Sequence, residues 1–181
     1  MKQGAYARFF QRRFVWILVI LSAFILLAGS LRGGITALPP IIDVVQRELG
    51  LSAAQAGLVT SIPVFCFGFF TPLTSIVLRH FALNQAVSLG LAIVIVGAIV
   101  RSLGLSSTLF LGTFLIGLGT TAGNLVITML ISRDFRHRAG IMTAVYSTMI
   151  DVTIAASTAF TFPLVAYIGW QGAAGVWGVG P

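Results

Sequence analysis

An all-α membrane protein is what these 181 residues predict, on three observations. The chain is 57% hydrophobic and 8% charged, with a mean hydropathy of +1.03. A soluble domain runs nearer ~45–50% apolar and ~25% charged, and a chain of this size buries only about 70% of its surface. Water is therefore excluded as its solvent, and so is disorder, which needs low hydrophobicity and high net charge. Next, the apolar residues come in unbroken runs such as ILVILSAFILLAG and LGLAIVIVGAIV. Strands of a membrane β-barrel alternate apolar with polar, so these runs are helices. Finally, a crossing takes about 20 apolar residues plus a connection, which gives this length about six helices.

Residues 1–13 form a cytoplasmic N-terminus, with Lys2, Arg8, Arg12 and Arg13 and no acid. A basic start before an apolar run also describes a signal peptide. Here the run is too long and no small-residue cleavage pattern stands out. The remainder, 14–181, is read as one transmembrane helical domain. Its first span, about 14–42, is interrupted by Arg32 and Gly33–Gly34 and closes on Pro39–Pro40. A short polar connection leads to the second span, 53–78, which contains Pro63 and Pro72. Membrane helices tolerate such prolines because neighbouring groups re-satisfy the freed carbonyls. Spans three and four follow at 85–103 and 108–131, and RDFRHR at 133–138 is the densest charge cluster. The fifth span, 140–167, is interrupted by Asp151. A sixth begins near Trp170, and the dozen or so residues to 181 fall short of a crossing. The sixth helix is expected to be incomplete.

The net charge of +7 and pI of 11.2 would suggest nucleic acid in a soluble protein. In a bilayer they set orientation instead, because Lys and Arg collect on the cytoplasmic side. With the N-terminus inside, that side gathers Lys2, Arg8, Arg12, Arg13, Arg79, Arg133, Arg136 and Arg138, leaving Arg47 and Arg101 outside. No nucleic-acid partner and no cofactor are implied. The single cysteine, Cys66, allows no intrachain disulfide and no multi-cysteine metal site. It reads as ordinary packing.

Away from the span ends, two formal charges fall within spans. An ionised group at bilayer depth costs at least about 2.5–3.5 kcal/mol and needs a partner, a wet cavity or a function. Arg32 lies about 28 Å of helix beyond Arg13, and Asp151 roughly 20 Å beyond Arg138, so the two can reach a common level. Two readings of Arg32 stand side by side. It is a guanidinium facing a central cavity and binding anions, for which its planar fork of donors is suited. Or it is structural, paired with Asp151 or snorkelling to the outer interface. Asp151 correspondingly reads as a coupling or counter-charge carboxylate, or as the pair's other member. Asn124, mid-span in GTTAGNLVITML, shares a helix face with Thr120, Thr121 and Thr128. Its amide can line a cavity or bond a neighbouring helix. Tyr146 and Ser147 lie just before Asp151 and can line the same space.

The glycine pairs Gly29/Gly33 and Gly119/Gly123 have the spacing that lets helices approach closely. Phe65, Phe67, Phe69 and Phe70 read as packing or lipid contact rather than a binding cage. A membrane enzyme would need a buried nucleophile with a base. His80 and His137 fall in turns, and no GxSxG element is present.

Four stretches together resemble the major facilitator superfamily of transporters, in its cyanate- and nitroimidazole-transporter-like branch. They are SLRGGITALPPIIDVVQRELGLSAAQAGLVTSIPVFCFGFFTPL, RSLGLSSTLFLGTFLIGLGTTAGN, LISRDFRHRAGIMTAVYST and FPLVAYIGWQGA. The resemblance implies the N-terminal six-helix bundle of a twelve-helix carrier of the bacterial inner membrane, working by rocking two halves about a central site. It implies substrate-binding roles for Arg32, Asn124, Tyr146 and Ser147. Arg79 is what VLRHFALNQ keeps of the family's cytoplasmic gating loop, whose acid is missing here. Asp151 stands where the branch has a small residue. The function expected is secondary active transport of a small anion or small polar organic solute, cyanate- or nitroimidazole-like, by this chain or by the carrier of which it is the N-terminal half. The partners expected are the bilayer, the solute, and a missing C-terminal half or second copy. The alternative is a truncated, non-transporting membrane fragment or assembly partner.

Overall fold

The computed structural model describes Gly29 and residues 31–179. The basic N-terminus and most of the first span lie outside the described residues. Helical residues 31–36, the end of that span, are α1. A turn and a 3-10 segment, Pro39–Ile41, lead into α2, Ile42–Leu49. Then come α3, Ala53–Leu78; α4, Leu83–Arg101; α5, Ser106–Asp134; and α6, Ala139–Val179. Among the described residues there is no strand, and the chain is a multi-pass helical membrane protein. Three helices are long and apolar enough to cross by themselves, Ala53–Leu78, Ser106–Arg133 and Arg136–Trp177. Gln85–Arg101 is a shorter apolar helix.

Local chemistry sets the boundaries. Ser52 opens α3 with a reciprocal cap: its hydroxyl accepts from the Gln55 N–H at 3.2 Å, and its own N–H donates to Gln55 Oε1 at 2.8 Å. Gln85 accepts the Ala82 N–H at 3.2 Å at the start of α4. Gly50 closes α2 at φ 62°, a left-handed conformation that costs glycine nothing. Gly169, at φ 73° and ψ 170°, breaks α6 into two helical pieces. The 170–179 piece turns back beside α1, where Trp177 covers Gly33.

Helix α5 is the centre. Of its most apolar stretch 56% is buried, against 17% in α3 and 11% in the helix from Arg136 to Trp177. Its closest neighbour is α4, and the reason is the absence of side chains. A Cβ on Gly112 would sit 2.6 Å from the Arg101 backbone nitrogen and from the Gly97 carbonyl oxygen. One on Gly119 would meet the Gly90 oxygen at 2.8 Å, and one on Gly117 the Cys66 sulfur at 2.8 Å. Small residues thus let both α4 and α3 seat directly on α5.

The amphipathic α2 covers one end of the bundle. Val45 joins Leu38, Ile41, Leu51, Val59, Leu109 and Trp170 in one buried cluster. Glu48 accepts the Trp170 indole N–H at 2.7 Å, which fixes the residue just after the Gly169 break.

Candidate functional site

Helix α1 is docked to α5 by two contacts one turn apart on α5. Thr120 donates its hydroxyl to the Leu31 carbonyl at 3.1 Å. Gly123 leaves room for the Leu31 side chain, which would stand 2.5 Å from a Cβ there. Thr120, Gly123 and Asn124 lie on one face of α5, so seating Leu31 brings Arg32 to the part of α5 that carries Asn124.

The half-buried Arg32 lays its guanidinium over the Phe67 ring of α3, 5.3 Å from the centroid. That is within cation–π range. Among the described residues Arg32 has no carboxylate partner and no acceptor for its N–H groups, and its Nε is sealed from solvent. From α6, Tyr146 donates its hydroxyl to Asn124 Oδ1 at 2.7 Å. Tyr146 is buried and belongs to one buried cluster with Leu31, the residue next to Arg32. Arg32, Asn124 and Tyr146 are therefore gathered in one place from α1, α5 and α6, with Phe67 as a fourth wall.

The α6 face that carries Tyr146 continues through Ile150 and Thr153 to Ser157 at helical spacing. Ser157 is fully buried and shares a 2.6 Å hydrogen bond with Thr36. The Thr36 hydroxyl also bonds the Arg32 carbonyl at 2.9 Å. A run of hydroxyls thus ties α1 to α6 above the Arg32 guanidinium.

Ser147 and Asp151 are one turn apart on a different, exposed face of α6. Asp151 forms no ion pair with Arg32. Arg79 is exposed in the turn after α3.

Two residues escaped the sequence reading. Phe67 was grouped with its neighbours, yet Phe65 and Phe69 stack on each other at 5.8 Å on the exposed side. The spacing Pro63, Cys66, Phe67, Phe70 separates the inward stripe, since Pro63 and Cys66 touch Gly117 and Phe70 lies edge-on to Phe114 at 5.6 Å. Arg101, read from the sequence only as a charge on the external side, is 1% exposed. Its terminal nitrogens donate to the carbonyls of Gly34 at 2.6 Å and Ala174 at 3.1 Å. Its one sequence signal is Gly97 a turn before it, facing Gly112.

Known proteins resemble this chain in sequence. The chain is 33% identical over 157 residues, 86% of its length, to the 2-nitroimidazole transporter of Escherichia coli (strain K12). It is 32% identical over 161 residues, 88% of its length, to the uncharacterized transporter YycB of Bacillus subtilis (strain 168). It is 26% identical over 129 residues, 71% of its length, to the cyanate transport protein CynX of Escherichia coli (strain K12). The chain spans 40% of the length of the first two curated relatives and 34% of the third. No protein-family model matches the chain.

Proposed function

We propose, for a chain homologous over most of its length to bacterial transporters, among them a 2-nitroimidazole transporter and a cyanate transport protein, that it forms the N-terminal half of a secondary active transporter. Its solute is a small anion or small polar organic molecule, cyanate- or nitroimidazole-like. Arg32 carries the reading. A guanidinium held at bilayer depth costs at least about 2.5–3.5 kcal/mol, and here no carboxylate among the described residues offsets it. An acceptor-bearing solute arriving beside Phe67, Tyr146 and Asn124 would offset that cost.

Six helices of this kind rock against a second set, from the same polypeptide or another, with the site between them. In this reading Asp151 takes the coupling or counter-charge role and Ser147 a substrate-binding role; both lie on the exposed face of α6. Arg79 serves the gate at the opposite end from α2. The distribution of Lys and Arg supports a cytoplasmic N-terminus in a bacterial inner membrane.

The test is uptake of labelled cyanate and 2-nitroimidazole into proteoliposomes of the complete gene product. Arg32→Ala abolishes uptake and Arg32→Lys keeps part of it, because lysine supplies the charge without the fork. Unchanged uptake in Arg32→Ala removes Arg32 from the site.

A further inference from the structure

We infer that this site reads its solute through a hydrogen-bond-accepting edge: a small planar group whose exposed atoms accept hydrogen bonds and donate none, as in cyanate or a nitro group. The inference rests on the transporter reading above and names what that site selects.

The argument is an accounting of donors. An asparagine amide carries one acceptor oxygen and two N–H donors. Tyr146 occupies the oxygen of Asn124 with its own proton, at 2.7 Å. The amide nitrogen has no partner among the described residues and is not sealed from solvent. Asn124 therefore presents donors and keeps its acceptor turned to Tyr146. Arg32 has five N–H donors and no acceptor at all, and among the described residues none of those donors is used.

The guanidinium carbon stands over the Phe67 ring, which closes that side of the site. Hydrogen bonds to guanidinium lie in its plane, along its edge. A solute approaching that edge is itself best planar, so that it meets the fork in plane. The carboxylate that would reverse the pattern, Asp151, is on another face of α6. The tyrosine is thus a specificity-determining residue: by holding the amide in one orientation, it decides that Asn124 gives hydrogen bonds rather than accepts them.

The test uses a nearly isosteric pair, compared on the acid side of neutrality, where the electron-poor nitroimidazole keeps its ring N–H and both compounds are uncharged, so that charge is not the variable. The nitro group of unlabelled 2-nitroimidazole offers two acceptor oxygens where the carboxamide of imidazole-2-carboxamide offers one acceptor oxygen and an NH2 with two N–H donors. Each competes for uptake of labelled cyanate into proteoliposomes of the complete gene product. In the unaltered protein 2-nitroimidazole competes at least about tenfold better, because the carboxamide sets a donor against a donor. In Tyr146→Phe the amide is free to turn, and the gap narrows severalfold. In Asn124→Asp the donors become acceptors, and the gap closes or inverts.

Equal competition by the two compounds, or none by either, with cyanate uptake intact overturns the donor-edge inference and leaves the transporter reading standing. A gap that persists unchanged in both variants also overturns it. Absence of uptake of both labelled cyanate and labelled 2-nitroimidazole defeats the transporter reading, and this inference with it; where only 2-nitroimidazole is carried, competition by the carboxamide against it is the readout.

Discussion

Arg101 donates to the carbonyl of Gly34, 67 positions earlier in the chain, at 2.6 Å. With its second bond to Ala174, one side chain closes the ends of α1, α4 and the returning piece of α6. The last carbonyls of a helix lack intrahelical partners, and a buried one left unmatched costs about 1–3 kcal/mol. Arg101→Leu orphans the Gly34 carbonyl and takes a second bond from that of Ala174, so thermal unfolding in detergent, followed by tryptophan emission, shifts down by several degrees. Arg101→Lys falls between, because an ammonium lacks the fork that spans both carbonyls.

The α4–α5 contact makes a second prediction. A methyl at Gly112 overlaps backbone atoms of Arg101 and Gly97 at 2.6 Å, which cannot rotate away. Gly112→Ala costs about 1–3 kcal/mol by overpacking. Gly68→Ala, in α3 with nothing within 4 Å of its Cβ, is neutral or stabilising, by up to about 1 kcal/mol of helix propensity. Paired melting curves separate overpacking from any general intolerance of alanine.

Tyr146→Phe removes a hydrogen bond between membrane helices, worth about 0.6–2 kcal/mol. Asn124→Ala removes the same bond from the other side. In a double-mutant cycle the combined variant is therefore less destabilised than the sum of the singles. Strict additivity in melting experiments would show the bond to be absent in the protein in solution.

Glu48 and Trp170 give an optical readout. Glu48→Gln keeps an acceptor oxygen for the indole N–H and leaves emission and stability near the starting values. Glu48→Ala releases the indole, costing about 1 kcal/mol and shifting tryptophan emission to the red as water reaches Trp170. A Trp170→Phe background, in which Glu48→Ala changes nothing, assigns the signal.

The apolar, all-helical character was legible because composition and unbroken hydrophobic runs respond to solvent alone. The resemblance to the cyanate- and nitroimidazole-transporter branch was legible in ordered motifs, and the relatives bear it out. What stayed hidden depends on which helix lies next to which. Arg101 looks like a boundary charge until Gly34 and Ala174 are seen to bring their carbonyls to it. Phe67 looks like its neighbours until the face of α3 that meets α5 is known. Among the candidates, the meeting of Asn124 with Tyr146 across 22 positions is a tertiary fact that helical spacing within either span does not contain.

The position of α5 has a consequence for how such chains diverge. A helix enclosed by neighbours answers to all of them at once, so each of its small residues is constrained from outside its own segment. The exposed side of α3 answers only to the demand that it stay apolar, and Phe, Leu, Ile and Val exchange there at little cost. Among descendants of one ancestor, α5 should then change slowly and by coordinated pairs, as when a larger residue at 123 requires a smaller one at 31 on α1. The outer stripe of α3 should drift freely in identity while holding its hydropathy constant.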